Sequence, residues 1–224
     1  MPSFPRTLGV AVSGVLAVAS LAGCGTFTVT HNPRPSAAGA HASGAPVSLV
    51  RSDVPATPVP PPAPEQVAAG RWAVGDSVML GAGAQLTARG VRVDAVESRQ
   101  FHAGIALVRA ARNAGTLPRN VIVHLGTNGT VSLADCHALV ATAGTSRRVF
   151  LVTVHGPRSW MPGDNARLAA CAASYRDRRV VLVNWDRAAA HHPEWFYRDG
   201  IHVNGAGRAA YAAVVTTVVS ALGL

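Results

Sequence analysis

The sequence predicts a three-layer αβα domain with a five-stranded parallel sheet. Five short runs rich in β-branched residues alternate strictly with longer Ala- and Leu-rich runs that have helical spacing. Strict alternation of this kind places helices on both faces of a parallel sheet. With 224 residues, of which 49% are hydrophobic and 14% charged, the chain can bury one substantial core and is short for two.

The predicted elements follow one another from Trp72 to the end of the chain. The strands are Trp72–Val74, Val91–Val96, Val121–His124, Val149–Val154 and Val180–Trp185. The helices are Val78–Arg89, His102–Ala114, Ser132–Ala143, Asn165–Arg176 and Gly205–Ala221. Gly90, Gly115 and Gly144 follow the first three helices directly, where a glycine commonly ends a helix. The folded unit is therefore expected to span residues 69–224.

The first 68 residues are predicted to lie outside this unit. Arg6 precedes the uncharged stretch TLGVAVSGVLAVASLAG, which is typical of a secretory signal and short for a bilayer span. The next residue is Cys24, and Leu21–Cys24 resemble a bacterial lipobox, so lipidation of Cys24 is expected; the alternative is a cleaved signal whose terminal cysteine has no role. Residues 25–68 are rich in Pro, Ala, Ser and Gly, as in a disordered tether. We therefore expect an extracytoplasmic domain that is anchored to the cell membrane or secreted.

The charge of the chain indicates which partners it could bind, and its cysteines indicate the redox state of its compartment. All twenty basic residues are arginine, and the formal net charge of +9 favours anionic surfaces. The arginines are scattered, without a basic run or interleaved aromatics, which argues against a nucleic-acid partner. If Cys24 is lipidated, Cys136 and Cys171 remain as a pair in an oxidising space, where a disulfide is expected and two buried thiols are the alternative.

Polar segments follow each predicted strand. They are Gly75-Asp76-Ser77, Ser98-Arg99-Gln100, Gly126-Thr127-Asn128-Gly129, the loop GPRSWMPGDN and the loop HPEWFYRDGIHVNGAG. Because open parallel sheets place their sites at the carboxyl ends of the strands, these segments should meet at one edge. The sequence therefore predicts a functional site at that edge.

The residue types at this edge suit acyl transfer through a serine. Ser77 lies between a strand and a helix, where it is either a nucleophile or an ordinary helix cap. Asp199 and His202 are three residues apart in RDGIHVNG, so one turn can hold the carboxylate against the imidazole; the alternative is a solvated surface pair. Asp76 is better explained as a carboxylate that braces the start of the helix.

The blocks GDSVMLGA, SRQF, HLGTNG and DGIHVN, in this order, resemble the motifs of the SGNH (GDSL-type) hydrolase superfamily, and most of all the SGNH domains of bacterial peptidoglycan O-acetyltransferases. The resemblance implies a flavodoxin-like strand order and a triad of Ser77, His202 and Asp199. It also implies an oxyanion hole made of the Ser77 and Ser98 backbone N–H groups and the Asn128 side chain. Ser98 departs from the glycine that is common at its position.

Neighbouring loops would bind the substrate in such a protein. Arg99, Trp160, Asn165 and Trp195 are the candidates, although both tryptophans could equally be core residues. No metal or other cofactor is expected, because the spacing around His191 and His192 matches no standard zinc pattern.

The sequence thus predicts a lipid-anchored serine esterase or acyltransferase that acts on short acyl esters, such as acetyl esters of cell-wall glycans. Transfer would need a separate membrane protein to deliver the acyl group. The alternative is a catalytically silent glycan-binding module with the same fold.

Overall fold

The computed structural model describes residues 67–222, and these contain the predicted α/β architecture. The strands are β1 Ala68–Gly75, β2 Arg92–Ala95, β3 Pro118–His124, β4 Arg148–Val152 and β5 Val180–Val183. All neighbouring pairs are parallel, and the order across the sheet is β2-β1-β3-β4-β5. This is the flavodoxin-like order, so the predicted fold class is confirmed. The predicted signal peptide, Cys24 and nearly all of the predicted tether lie outside the described residues.

Helices cover both faces of the sheet. They are α1 Ser77–Gly81, α2 Gly83–Thr87, α3 Phe101–Asn113, α4 Leu133–Ala143, α5 Met161–Ala173, α6 Trp185–Ala189 and α7 Gly205–Leu222, with a 3-10 turn at Pro193–Trp195. Helix α4 has the clearest local cause: the Ser132 hydroxyl accepts from the Asp135 N–H, the Asp135 carboxylate accepts from the Ser132 N–H, and Gly144 ends the helix at a φ of 83°.

Several predicted boundaries were wrong. Strands β1 and β3 begin earlier than predicted, at Ala68 and Pro118, and α5 ends at Ala173 rather than Arg176. The single helix predicted over Val78–Arg89 is divided at Ala82, which lies between the weak helix formers Gly81 and Gly83. Helix α5 begins at Met161 rather than Asn165, because Pro162 is tolerated in a first helical turn. The fifth strand ends at Val183, and Trp185 is instead the first residue of α6.

Residues that alternate along β3 divide the core into two layers. Val121 and Val123 pack with Leu139 and Leu168 beneath α3, α4 and α5. Ile122 packs on the opposite face, in the layer beneath α1, α2 and α7. Successive strand residues point to opposite faces, so a sheet covered on both sides needs this unbroken apolar run.

Helix α7 is, within residues 67–222, the one helix long and apolar enough to cross a membrane by length and composition. Its residues Tyr211, Val215 and Val219 are fully buried against the sheet. Packing in the second core layer therefore accounts for its apolar face.

The predicted disulfide is present. Cys136 in α4 and Cys171 in α5 are bonded, both are fully buried, and their Cα atoms are 6.3 Å apart. Because it closes a separation of 35 residues, the bond contributes about 4 kcal/mol in the chain-entropy treatment. It joins α4 to α5 within the first core layer.

Candidate active site

The turn that carries Ser77 is built from β1 and α1. Gly75, the last residue of β1, is in register with Ala95 of β2 and His124 of β3, so three strand ends meet here. Asp76 is fully buried; its Oδ1 accepts from the Val78 N–H at 3.1 Å, which makes it the N-cap of α1. This agrees with its interpretation as a brace and leaves Ser77 as the side chain at the cleft.

The structure brings Ser77, His202 and Asp199 together from opposite ends of the domain. The distance from Ser77 Oγ to His202 Nε2 is 2.9 Å, and from His202 Nδ1 to Asp199 Oδ2 it is 2.7 Å. Asp199 Oδ1 also accepts from the backbone N–H groups of Ile201 (2.9 Å) and His202 (3.0 Å). One carboxylate thus holds both the loop and the imidazole, and the imidazole is within reach of the serine proton.

The hydrogen bonds to Asp199 keep it ionised. Desolvation acts to raise the pKa of this carboxyl, but the hydrogen bonds from the His202 side chain and from the Ile201 and His202 N–H groups outweigh it, and the pKa falls to about 2. A carboxylate that is charged at all ordinary pH values favours the Nδ1–H tautomer of His202. Nε2 is then free to accept the Ser77 proton.

The three residues predicted to donate hydrogen bonds line the same cleft, which has a volume of about 410 Å³. Ser77 is the first residue of α1, so its backbone N–H has no partner within the helix. Ser98 and Asn128 line the cleft with Ser77 and His202, and the Asn128 Nδ2 is buried without a hydrogen-bond partner among the described residues. An unpaired buried donor is costly unless a ligand oxygen meets it. Ser77, Ser98 and Asn128, which were predicted to form an oxyanion hole, thus line one cleft.

Ser98 has a backbone conformation that glycine adopts more easily than other residues. Its φ is 58°, in the left-handed region, which costs a residue with a Cβ roughly 1–2 kcal/mol. A glycine at this position would adopt the same conformation without this cost. Strain at such a position is characteristic of functional sites.

Gln100 was missed by the sequence analysis, although it lies in the SRQF block. Its Nε2 donates to the Asn128 carbonyl at 2.8 Å, across 28 residues. A Cβ at Gly129 would lie 2.7 Å from the Gln100 Oε1, so a larger residue there would displace the Gln100 amide from its present position. Gln100 is thus placed to position the loop that carries Asn128.

Arg99 was expected to bind substrate, but it does not line the Ser77 cleft. Its side chain is 8% exposed, with one guanidinium nitrogen 2.7 Å from Asp94 Oδ1 and another 3.2 Å from the Gly75 carbonyl. Nearly all of this side chain is used to tie the end of β2 to the turn before Ser77. The guanidinium is a brace of the site rather than a substrate-binding group.

Asn165 and Trp160 also brace loops. Asn165 Oδ1 accepts from the Val154 N–H at 2.9 Å and its Nδ2 donates to the Val154 carbonyl at 2.8 Å, so both ends of the amide are used. Trp160 is half-buried, and its indole N–H donates to the Gly126 carbonyl at 3.1 Å. The Asn165 amide and the Trp160 indole N–H are therefore engaged with the backbone.

Trp195 is a packing residue in this structure. It stacks on Trp185 with ring centroids 5.9 Å apart and on His192 with centroids 3.7 Å apart. A Cβ at Gly207 would collide with the Trp195 carbonyl, so α7 begins tightly against this turn. Of the four candidates for substrate binding, none lines the Ser77 cleft.

His124 is a core residue beneath the site. It is fully buried, and its Nδ1 is 2.6 Å from the Tyr211 hydroxyl. Burial lowers the pKa of His124 and raises that of Tyr211, so both groups are held neutral. No three His, Cys, Asp or Glu side chains within residues 67–222 are grouped to hold a metal ion.

Comparison by sequence finds acetyltransferases. The chain is 32% identical over 145 residues to the O-acetyltransferase OatA of Staphylococcus aureus, covering 63% of this chain and 24% of the relative. It is 28% identical over 150 residues to the peptidoglycan O-acetyltransferase OatA of Listeria monocytogenes, covering 66% of this chain and 24% of the relative. The chain thus spans about a quarter of the length of these relatives. No protein-family model matches it.

Comparison by structure finds the same fold. The C-terminal catalytic domain of the Streptococcus pneumoniae peptidoglycan O-acetyltransferase A superposes with a TM-score of 0.65 at 21% identity, covering 70% of this chain and 96% of that domain. A GDSL-like lipase of Bacteroides thetaiotaomicron gives 0.53 at 14% identity, covering 67% and 87%. A family 3 carbohydrate esterase of Talaromyces cellulolyticus gives 0.54 at 15%, covering 70% and 98%. The resemblance predicted from the four motif blocks is therefore confirmed: the described domain has the fold of the GDSL/SGNH-type hydrolases and resembles the peptidoglycan O-acetyltransferases in sequence.

Proposed function

We propose that this domain is an SGNH-type serine esterase or O-acyltransferase, with Ser77 as nucleophile, His202 as base and Asp199 as the carboxylate that orients the base. The observation that carries the proposal is the 2.9 Å distance between Ser77 Oγ and His202 Nε2, which joins residues 125 positions apart. A helix cap would not need an imidazole at this place.

In the acylation step, Ser77 Oγ attacks the carbonyl carbon of the ester while its proton passes to His202 Nε2. The carbonyl oxygen becomes an oxyanion, which accepts hydrogen bonds from the Ser77 and Ser98 N–H groups and from Asn128 Nδ2. His202 then donates the proton to the departing alcohol oxygen as the C–O bond breaks. The acyl group remains on Ser77 as an ester.

In the second step, His202 takes a proton from an incoming hydroxyl, which attacks the acyl-enzyme and restores Ser77. Water as the acceptor releases the free acid, and a sugar hydroxyl yields an acylated glycan. The pair of steps is the same for esterase and transferase, so the acceptor alone decides between them.

The substrate class is proposed from the cleft and from the relatives. Leu80 and Gly81 line the cleft beside Ser77, and the volume of about 410 Å³ suits a short acyl group better than a fatty chain. The names of the relatives specify O-acetyl transfer and peptidoglycan. Acetyl esters of cell-wall glycans are therefore the proposed substrates.

The location is part of the same proposal. A lipid on Cys24 would hold the domain outside the cytoplasm at the cell membrane, where wall glycans are present. For transfer rather than hydrolysis, we propose that a separate membrane protein supplies the acyl group.

The test compares two products. Full-length protein is incubated with an acetyl ester donor and a wall oligosaccharide, and free acetate and acetylated oligosaccharide are measured separately. We expect one or both products from the wild type and neither from Ser77→Ala. Equal product from both proteins would contradict the proposal, and no product from either across acetyl donors would favour the silent binding module.

A further inference from the structure

Arginines are concentrated at the edge of the sheet opposite the Ser77 cleft. Arg148 is the first residue of β4, and the register pairs it with Asn120 of β3. The next β4 residue, Val149, pairs with Val180 of β5, and its N–H donates to the Arg179 carbonyl at 2.8 Å. Arg119 and Arg179 therefore flank Arg148 at the amino ends of the neighbouring strands.

These side chains line a cavity of about 260 Å³, here named the basic pocket. Its charged members are Arg119, Arg147, Arg148, Arg179 and Asp177. Guanidinium groups stay protonated at any physiological pH, so four cations face one carboxylate. The pocket carries a local charge of about +3 from this lining.

Two of the arginines form a fixed floor. Arg147 is 2% exposed, with its Nε donating to the Leu117 carbonyl and a terminal nitrogen donating to the Ala143 carbonyl, both at 3.1 Å. Arg179 lies 4.7 Å above the Tyr175 ring, and its Nε is 3.1 Å from Asp177 Oδ2. The only carboxylate in the lining is thus already paired.

The other two arginines have no such partner. Arg119 is exposed and Arg148 is half-buried, and neither makes a side-chain hydrogen bond or ion pair within the part of the chain that the structure describes. Two like charges that line the same small pocket repel one another. Such an arrangement is relieved when an anion lies between them.

We propose that the basic pocket binds a phosphate group. Planar guanidinium forks match phosphate oxygens, and the Thr145 and Ser146 hydroxyls in the same lining add two further donors. The choice of a phospholipid head group over free phosphate rests on the proposed lipid on Cys24: the chain that follows Cys24 enters β1 at this edge, where Ala68 pairs with Pro118, so a membrane anchor would be joined to the domain on this side. The site is separate from the Ser77 cleft and does not depend on the proposed catalysis.

The test uses the full chain and two double variants that change the net charge by the same amount. Arg119→Glu/Arg148→Glu removes the two unpaired cations of the pocket. Arg89→Glu/Arg109→Glu changes two exposed arginines that lie outside it, one in the turn after α2 and one in α3, and lowers the net charge by the same amount. Circular dichroism and thermal melting verify that both variants fold.

Binding is measured to inorganic phosphate by calorimetry and to vesicles of phosphatidylglycerol or phosphatidylcholine by co-sedimentation. We expect the pocket variant to bind roughly tenfold or more weakly than wild type, and the matched control to bind like wild type. The N-terminal residues are the same in all three proteins, so their own membrane affinity cancels. If the pocket variant binds inorganic phosphate more weakly than wild type does, free phosphate is a sufficient ligand. If the two proteins differ only on phosphatidylglycerol vesicles, the ligand is the lipid head group.

Two results would overturn the proposal. In one, neither inorganic phosphate nor phosphatidylglycerol vesicles distinguish the pocket variant from wild type. In the other, the control variant loses as much affinity as the pocket variant, which would indicate attraction to the net positive charge rather than to a built site.

Discussion

Replacing Asp199 with asparagine exchanges one carboxylate oxygen for an NH₂ group. It therefore tests the proposed role of Asp199 in orienting His202. The asparagine oxygen can still accept from the Ile201 and His202 N–H groups, which bond Oδ1 in the native protein. The other terminal atom becomes an NH₂ group that faces His202 Nδ1, formerly 2.7 Å from Oδ2. Nδ1 must then accept, so the ring proton moves to Nε2 and the base can no longer take the Ser77 proton.

The size of the loss follows from two effects. A carboxylate and an imidazolium about 4 Å apart attract by about 1 kcal/mol in water and about 4 kcal/mol at an effective dielectric of 20. The Asp199 and His202 side chains are 44% and 45% exposed, so we take about 2 kcal/mol for the attraction that is lost. This corresponds to a fall of roughly 30-fold in kcat. The wrong tautomer adds one to two further powers of ten, so kcat should fall by about 10³-fold.

The assay is hydrolysis of nitrophenyl acetate by the full chain, with thermal melting as the control for folding. Glu194→Gln is the matched control, since the His192 Nδ1–Glu194 Oε1 distance is also 2.7 Å but this imidazole stacks on Trp195. It should leave kcat unchanged. A loss below tenfold in Asp199→Asn, or an equal loss in Glu194→Gln, would refute the reasoning.

Three further predictions concern stability and positioning. Changing Cys136 and Cys171 to alanine should lower the free energy of unfolding by about 4 kcal/mol in urea denaturation, and an unchanged midpoint would argue against the bond. Burial lowers the pKa of His124 below 6.5, so the unfolded chain binds its proton first and stability should fall as pH drops below 6.5, by at most about 1.4 kcal/mol per pH unit. His124→Gln should reduce that slope, and an identical slope would exclude His124 as its source. Gln100→Ala should lower kcat roughly tenfold with KM little changed, because the Asn128 loop loses its brace. The isosteric Gln100→Glu cannot donate to the Asn128 carbonyl and should lose as much; full activity would limit Gln100 to packing.

The sheet and the contact between Asp199 and His202 were predictable because their signals are local. Each strand is a short apolar run, and Asp199 and His202 are three residues apart in one turn. The meeting of Ser77 with His202 followed from the rule that strand carboxyl ends share one edge. The break at Ala82 was not predicted, because two glycines cost a helix only about 1 kcal/mol each and tertiary packing decides the outcome.

The substrate-binding residues were harder because their partners are distant. An arginine after a strand looks the same in sequence whether it faces the cleft or turns back to the Gly75 carbonyl, as Arg99 does. The amide of Asn165 likewise could not be matched to Val154 from spacing alone. Such contacts depend on how loops pack after the sheet has formed.

Covalent labelling with a fluorophosphonate, followed by peptide mass mapping, tests most directly whether Ser77 is an activated nucleophile. The geometry of Ser77 and His202 predicts one adduct per chain, on Ser77, and none on the Ser77→Ala protein. An unlabelled wild-type protein, or an adduct that persists in Ser77→Ala, would contradict it.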